Sequence, residues 1–153
     1  MKYVLFAMIL CLLLSGCGQK CEPTAHFSIQ REQTQIALDA PAAPVLAALG
    51  APFGYGEQRS SQGKGVEKTY RFTGLELRTY QGEDGERILD LTITAKGQET
   101  PEGIRVGDSA AQVRSFFGED AVQGSRCVIQ KGREQMVVQL EGNLVSSIRY
   151  CLI

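Results

Sequence analysis

Apolar residues recur along this chain with three different spacings, and each spacing predicts a different element. Residues 3–14 are apolar almost without a break. Residues 36–50 (IALDAPAAPVLAALG) and 104–118 (IRVGDSAAQVRSFFG) instead carry apolar stripes at helical spacing. The stripes are Ala42, Val45, Leu46 and Leu49 in the first segment, and Ala110, Val113, Phe116 and Phe117 in the second. Elsewhere apolar and polar residues alternate, which is the period of a half-buried strand. Strands are therefore predicted over 69–72, 75–80 and 88–94, and again over 126–130, 134–140 and 145–152. Turns at Thr73-Gly74, Lys131-Gly132 and Gly142-Asn143 and a Gly-rich connection at 81–85 separate them.

The two helical segments align without a gap at an offset of 68 residues. Ile36 falls on Ile104, Leu38 on Val106, Ala42 and Ala43 on Ala110 and Ala111, Val45 on Val113, and Gly50 on Gly118. Ser109 with Gln112 three residues on reads as a capping box, and Pro41 suits a first helical position. Pro44 is acceptable only inside the opening turn, and Gly50 and Gly118 stand where a left-handed terminating residue is wanted. Helices of nine or ten residues are too short to stand alone and must pack on something. The expected fold is α+β, with two tandem helix-plus-antiparallel-meander repeats (about 35–95 and 103–153) in two layers, helices on one face of the sheet. In the last strand of each repeat Leu89, Leu91, Ile93, Ile148, Tyr150 and Leu152 should face the helices, with Asp90, Thr92, Thr94, Ser147, Arg149 and Cys151 facing away. The stretch 51–68, rich in Gly, Ser and Gln, reads as an inserted loop.

Ile104, Gly107, Asp108, Val113, Phe117 and Gly118 carry a resemblance to small cell-envelope lipoprotein modules of the SmpA/OmlA kind and to the tandem β-lactamase inhibitor protein fold. About fifteen residues match, twice over; Asp39 replaces the glycine in the first copy. The resemblance implies protein binding through an open sheet face or loops, without catalysis.

The N-terminal run has a matching sense. Twelve helical residues rise roughly 18 Å, short of a bilayer core of about 30 Å, so the run suits a secretory signal better than a membrane span. It ends in Leu14-Ser15-Gly16-Cys17, which resembles the lipobox of bacterial lipoprotein signals. That likeness implies cleavage after residue 16, a diacylglycerol on the Cys17 thiol and often an acyl chain on the new amine. Cys11 follows the bulky Met8, Ile9 and Leu10 and competes poorly; the alternative is an ordinary secretory signal with an incidental cysteine. Two or three acyl chains anchor firmly where one holds marginally. The expected organisation is a signal over 1–16, a lipid-anchored tether over 17–34 and one α+β domain over 35–153. The partners follow: a membrane through the Cys17 lipid, and an envelope protein. Gly18 after the anchor permits outer-membrane sorting in a host with two membranes.

Charge changes this picture little. Sixteen basic and seventeen acidic residues with no basic block argue against nucleic acid. Export permits disulfides: Cys21 could reach Cys127 or Cys151, or all three could stay reduced. Cys127 and Cys151 on the first and third strands of a meander would lie about 9–10 Å apart, beyond the roughly 7 Å a bridge spans. A zinc site of three cysteines with His26 lacks ligand spacing, so no metal and no cofactor is expected. His26, the only histidine, sits in the tether, and Glu83, Asp84 and Glu86 read as a solvated turn. The chain is therefore expected not to be an enzyme. Phe53 and Tyr55 in the inserted loop, and Arg71, Arg78, Tyr80 and Arg149 on the strands, are the candidate partner-binding residues. The rival expectation is a small-molecule or cell-wall glycan binder that stacks sugars on Tyr80 and the loop aromatics.

Overall fold

The computed structural model describes residues 27–60, 63 and 65–153. The signal, Cys17, Cys21 and His26 lie outside the described residues. The chain opens with a hairpin, β1 (Ser28–Arg31) and β2 (Thr34–Ala37), and then helix α1 (Ala42–Leu49). Strands β3 (Gly54–Arg59), β4 (Val66–Phe72), β5 (Leu75–Gly82) and β6 (Gly85–Ile93) follow. Helix α2 (Ala110–Phe117), a 3₁₀ turn (Glu119–Ala121), β7 (Val122–Gln123), β8 (Arg126–Lys131), β9 (Glu134–Glu141) and β10 (Leu144–Leu152) complete it.

Eight strands form one antiparallel sheet in the order β3-β4-β5-β6-β10-β9-β8-β7, while β1 and β2 pair only with each other. This corrects the expected two tandem helix-plus-meander repeats in two layers. Among the described residues strand makes up 56% and helix 15%, so the sheet dominates and the helices are attachments to it. The physical reason is reach. An eight-residue helix is about 12 Å long, whereas eight strands at about 4.8 Å spacing span more than 30 Å. Two such helices do not make a layer over so wide a sheet.

The hairpin supplies much of the missing cover. Phe27, Ile29 and Ile36 are fully buried, and the Phe27 ring sits 5.1 Å from that of Tyr150 on β10. Each such side chain contributes about 1.5–3 kcal/mol by leaving water. Among the described residues, Phe27 and the hairpin after it are packed against the sheet. The stretch 51–68 is likewise not a simple loop: it holds β3, the edge strand, and the start of β4. Glycine and glutamine masked a strand whose one large apolar side chain, Tyr55, is itself exposed.

Local rules operate as the pattern suggested at the helices themselves. Ser109 Oγ accepts from the Gln112 amide at 3.2 Å and Gln112 Oε1 accepts from the Ser109 amide at 2.9 Å, closing the capping box. Pro44 lies in the first turn of α1, where it removes no helical bond. The amides of Gly50 and Gly118 close the two helices onto Leu46 and Arg114. Val45 and Val113 drop into a core of Leu75, Leu77, Leu91, Ile93, Met136 and Ile148.

One face assignment differs. Arg78 pairs with Asp90 but Thr79 pairs with Ile88, so Leu89 is an extra, bulged residue. Ile88 takes the buried position and Leu89 is half-exposed. Beyond the bulge the expected alternation holds, with Leu91, Ile93, Ile148 and Tyr150 fully buried on the helix side.

Candidate functional site

Among the described residues neither helix nor the β1–β2 hairpin packs on the far side of the sheet. Cross-strand partners share a face, so the register assembles its residues directly. Arg71 on β4 faces Glu76 on β5, Arg78 faces Asp90 on β6, and Asp90 faces Cys151 on β10. Thr92 lies between Glu76 and Arg149.

Asp90 organises this face. It is only 3% exposed, although it belongs to the uncovered side. Burying a carboxylate costs several kcal/mol unless charge and hydrogen bonds offset it. Here Arg149 donates from Nε at 3.0 Å and from Nη2 at 2.5 Å to Asp90 Oδ2. Arg78 Nε lies 3.4 Å from the same oxygen. The two guanidinium groups cover the carboxylate, while their own side chains remain 37% and 42% exposed. Burial works against the charge on Arg149, but Asp90 outweighs it and holds the guanidinium still more firmly protonated than usual. Alongside, Arg71 Nε donates to Glu76 at 2.9 Å. Three arginines against two carboxylates leave this strip with a surplus of positive charge, with Arg149 the most firmly held by its two hydrogen bonds to Asp90.

Cys151, buried beside Asp90, has its thiol pushed up by burial, with Arg149 pulling the other way. Cys127 is buried on the opposite face, in the core, and burial raises its thiol too. Both are unbridged, and β9 separates their strands. Cys21, the candidate partner for either, falls outside the described residues.

The candidate residues divide between the faces. Arg71, Arg78 and Arg149 come together as described. Tyr80 shares their side of β5, two residues past Arg78, and its ring fills the space left by Gly65 and Gly82. A Cβ on either glycine would come within 2.5 or 2.7 Å of that ring. A shallow cleft of about 300 Å³ opens beside it, lined also by Glu83, Asp84 and Arg87. Tyr55 lies on the helix side, 74% exposed Phe53 next to it, with the Tyr55 ring 5.3 Å from that of Tyr70.

That helix-side margin holds a cluster the sequence did not announce. Glu86 accepts from Lys68 Nζ at 2.8 Å, Tyr70 Oη at 2.9 Å and Thr79 Oγ1 at 2.5 Å. Burial opposes its ionisation, but these three donors outweigh burial and hold the carboxyl below its ordinary range. Burial, with Glu86 close by, raises Tyr70 far above the usual phenol range. Glu86 had looked like a turn residue because it follows Glu83 and Asp84; pairing through β5 turns it inward. Asp90 had a visible signal, a lone acid within the apolar run Ile88 to Leu91.

Among the described residues no group of three or more His, Cys, Asp or Glu side chains is placed to hold a metal ion. No helix among them is long and apolar enough to cross a membrane. No protein-family model and no curated protein matches the chain. A 1.5 Å crystal structure of an extracellular protein containing a SCP domain, from Bacillus anthracis str. Ames, is similar at 9% identity with a TM-score of 0.43. The match covers 80% of this chain and 50% of that one, so this chain spans half the length of that protein. A likeness at that level carries no argument about function.

Proposed function

We propose that the protein is a lipid-anchored cell-envelope lipoprotein that binds another protein and performs no chemistry on it. The lipobox-like Leu14-Ser15-Gly16-Cys17 supports export and acylation at Cys17. One observation carries the binding role: a buried carboxylate, Asp90, holds Arg78 and Arg149 side by side on a sheet face that no described element covers. Fixed arginines lose less side-chain entropy on binding, and planar guanidinium groups suit carboxylates on a partner. The partner surface is accordingly acidic. Arg71 with Glu76 extends the strip toward β4.

The test is capture of an envelope protein by the full-length chain from its own cells, at rising salt. Retention that weakens with salt and disappears in Arg78→Ala/Arg149→Ala supports the reading. Retention indifferent to both changes rejects it. The cleft beside Tyr80 supports a second reading, a cell-wall glycan ligand. A thermal shift on adding wall fragments, lost in Tyr80→Ala, would favour that reading over the first. Intact-mass measurement of the mature protein tests acylation at Cys17.

A further inference from the structure

The two edges of the sheet are not alike. At one end β7 pairs over only two residues and a 3₁₀ turn precedes it, so that edge is blunt. At the other end β3 pairs with β4 over all six of its residues, in constant register and with no proline. Ser60 donates to the Gly65 carbonyl at 3.0 Å, continuing that register. Backbone groups alternate along a strand, so the even-numbered residues of β3 bond to β4. Tyr55, Glu57 and Arg59 turn their N–H and C=O groups outward. Phe53 and Tyr55, among the most exposed large apolar side chains described, stand on this same edge.

Gly56 is the odd residue here. A glycine inside a strand costs about 0.5–1 kcal/mol relative to alanine. Its φ is not in the left-handed region, and a Cβ there would meet nothing within 4 Å. Among the described residues nothing asks for a glycine at this position. With the register unbroken at Gly56, the remaining use of a strand glycine is close approach by a ligand or another backbone.

We propose that the occupant is a second copy of this chain, its β3 antiparallel to the first about a two-fold axis through Gly56. The register makes the strand complementary to itself. Gly56 meets Gly56 across the axis, with no side chains to collide. Tyr55 falls opposite Glu57, a pair already joined within one strand by a 2.7 Å hydrogen bond from the phenol. Phe53, whose amide donates to the Arg71 carbonyl on β4 at 2.9 Å, stands just before this register begins. The outward groups of Tyr55 and Glu57 face each other and exchange ladder hydrogen bonds, joining two eight-stranded sheets edge to edge. The next register on, centred on Glu57, would set two like charges face to face.

The experiment uses the full chain with Gly56→Cys or Gln58→Cys, oxidised and read on non-reducing gels beside the parent chain. Both positions lie on the open face of β3. In the proposed register the two residues 56 adjoin, whereas the two residues 58 are displaced by four positions, about 13 Å along the strands. Gly56→Cys should give a reductant-sensitive dimer well above the parent level, and Gln58→Cys should not. Glu57→Pro, which removes an outward N–H and no bond to β4, should leave the fold intact by circular dichroism and abolish concentration-dependent dimers in sedimentation. Equal crosslinking at 56 and 58, none at 56 although maleimide labels it, or a wild-type chain monomeric at every concentration each overturns the proposal.

Discussion

Replacing Asp90 with asparagine keeps the shape and one acceptor oxygen while removing the charge that two arginines share. In the wild type Arg149 makes two charge-assisted bonds to Oδ2 and Arg78 lies 3.4 Å from it. A hydrogen bond to a charged group is worth about 1.5–3 kcal/mol, and removing one partner of a buried pair costs about 3–5 kcal/mol. The arginines are more than a third exposed, so water recovers part of that loss. Asp90→Asn should therefore cost about 2–3 kcal/mol in urea unfolding, or roughly 10 °C in Tm for a domain of this size. Glu76→Gln, at the exposed Arg71 pair, should cost less than about 1 kcal/mol. A double-mutant cycle of Asp90→Asn with Arg149→Ala should return a coupling of about 1–2 kcal/mol that added salt changes little. A cost below about 0.5 kcal/mol, or one equal to that of Glu76→Gln, would refute the claim that Asp90 fixes the arginine face.

Glu86 has its carboxyl depressed in the folded state, so it favours folding above the ordinary carboxylate pKa of about 4.3, an advantage lost as pH falls through the lower folded value. Glu86→Gln should flatten part of the acid limb of a stability–pH curve; an unchanged limb would show that the Lys68, Tyr70 and Thr79 cluster is not coupled to folding. Gly74 turns between β4 and β5 at φ +72°, and a Cβ there would sit 2.3 Å from the Ala95 Cβ. Gly74→Ala should cost about 2–4 kcal/mol in chemical denaturation through left-handed strain plus overpacking. Cys127 and Cys151, buried with raised thiols, should resist alkylation in the native protein and react only after unfolding. Rapid native labelling of Cys127, followed by mass, would contradict its place in the core.

Regular, short-range features were legible in the chain. Ser109 and Gln112 spelled a capping box because three residues separate them on one turn, and the alternation through Leu91–Ile93 and Ile148–Tyr150 marked the buried side of two strands that prove to be neighbours. Long-range compensation was not. The β1–β2 hairpin is two four-residue strands with single buried anchors, too short for a period to emerge, and its burial depends on a sheet formed far along the chain. The edge strand β3 hid in its glycines, and the bulge at Leu89 shifted a face by one residue. Two arginines and an aspartate drawn from β5, β10 and β6 meet only because β6 and β10 pair, a pairing that local pattern does not encode. Helix length decided the architecture against a two-layer reading, since periodicity fixes where a helix lies but not how much of a sheet it covers.

The most direct test of the binding face places a photo-crosslinking side chain at Thr92, between Glu76 and Arg149, with Ser115 on the exposed side of α2 as its opposite-face counterpart. Illuminated in its own cells, the Thr92 probe should yield a discrete adduct with an acidic envelope protein that vanishes in Arg78→Ala/Arg149→Ala, and the Ser115 probe should yield none. An adduct formed from Ser115 alone, or one at Thr92 that survives loss of both arginines, would contradict it.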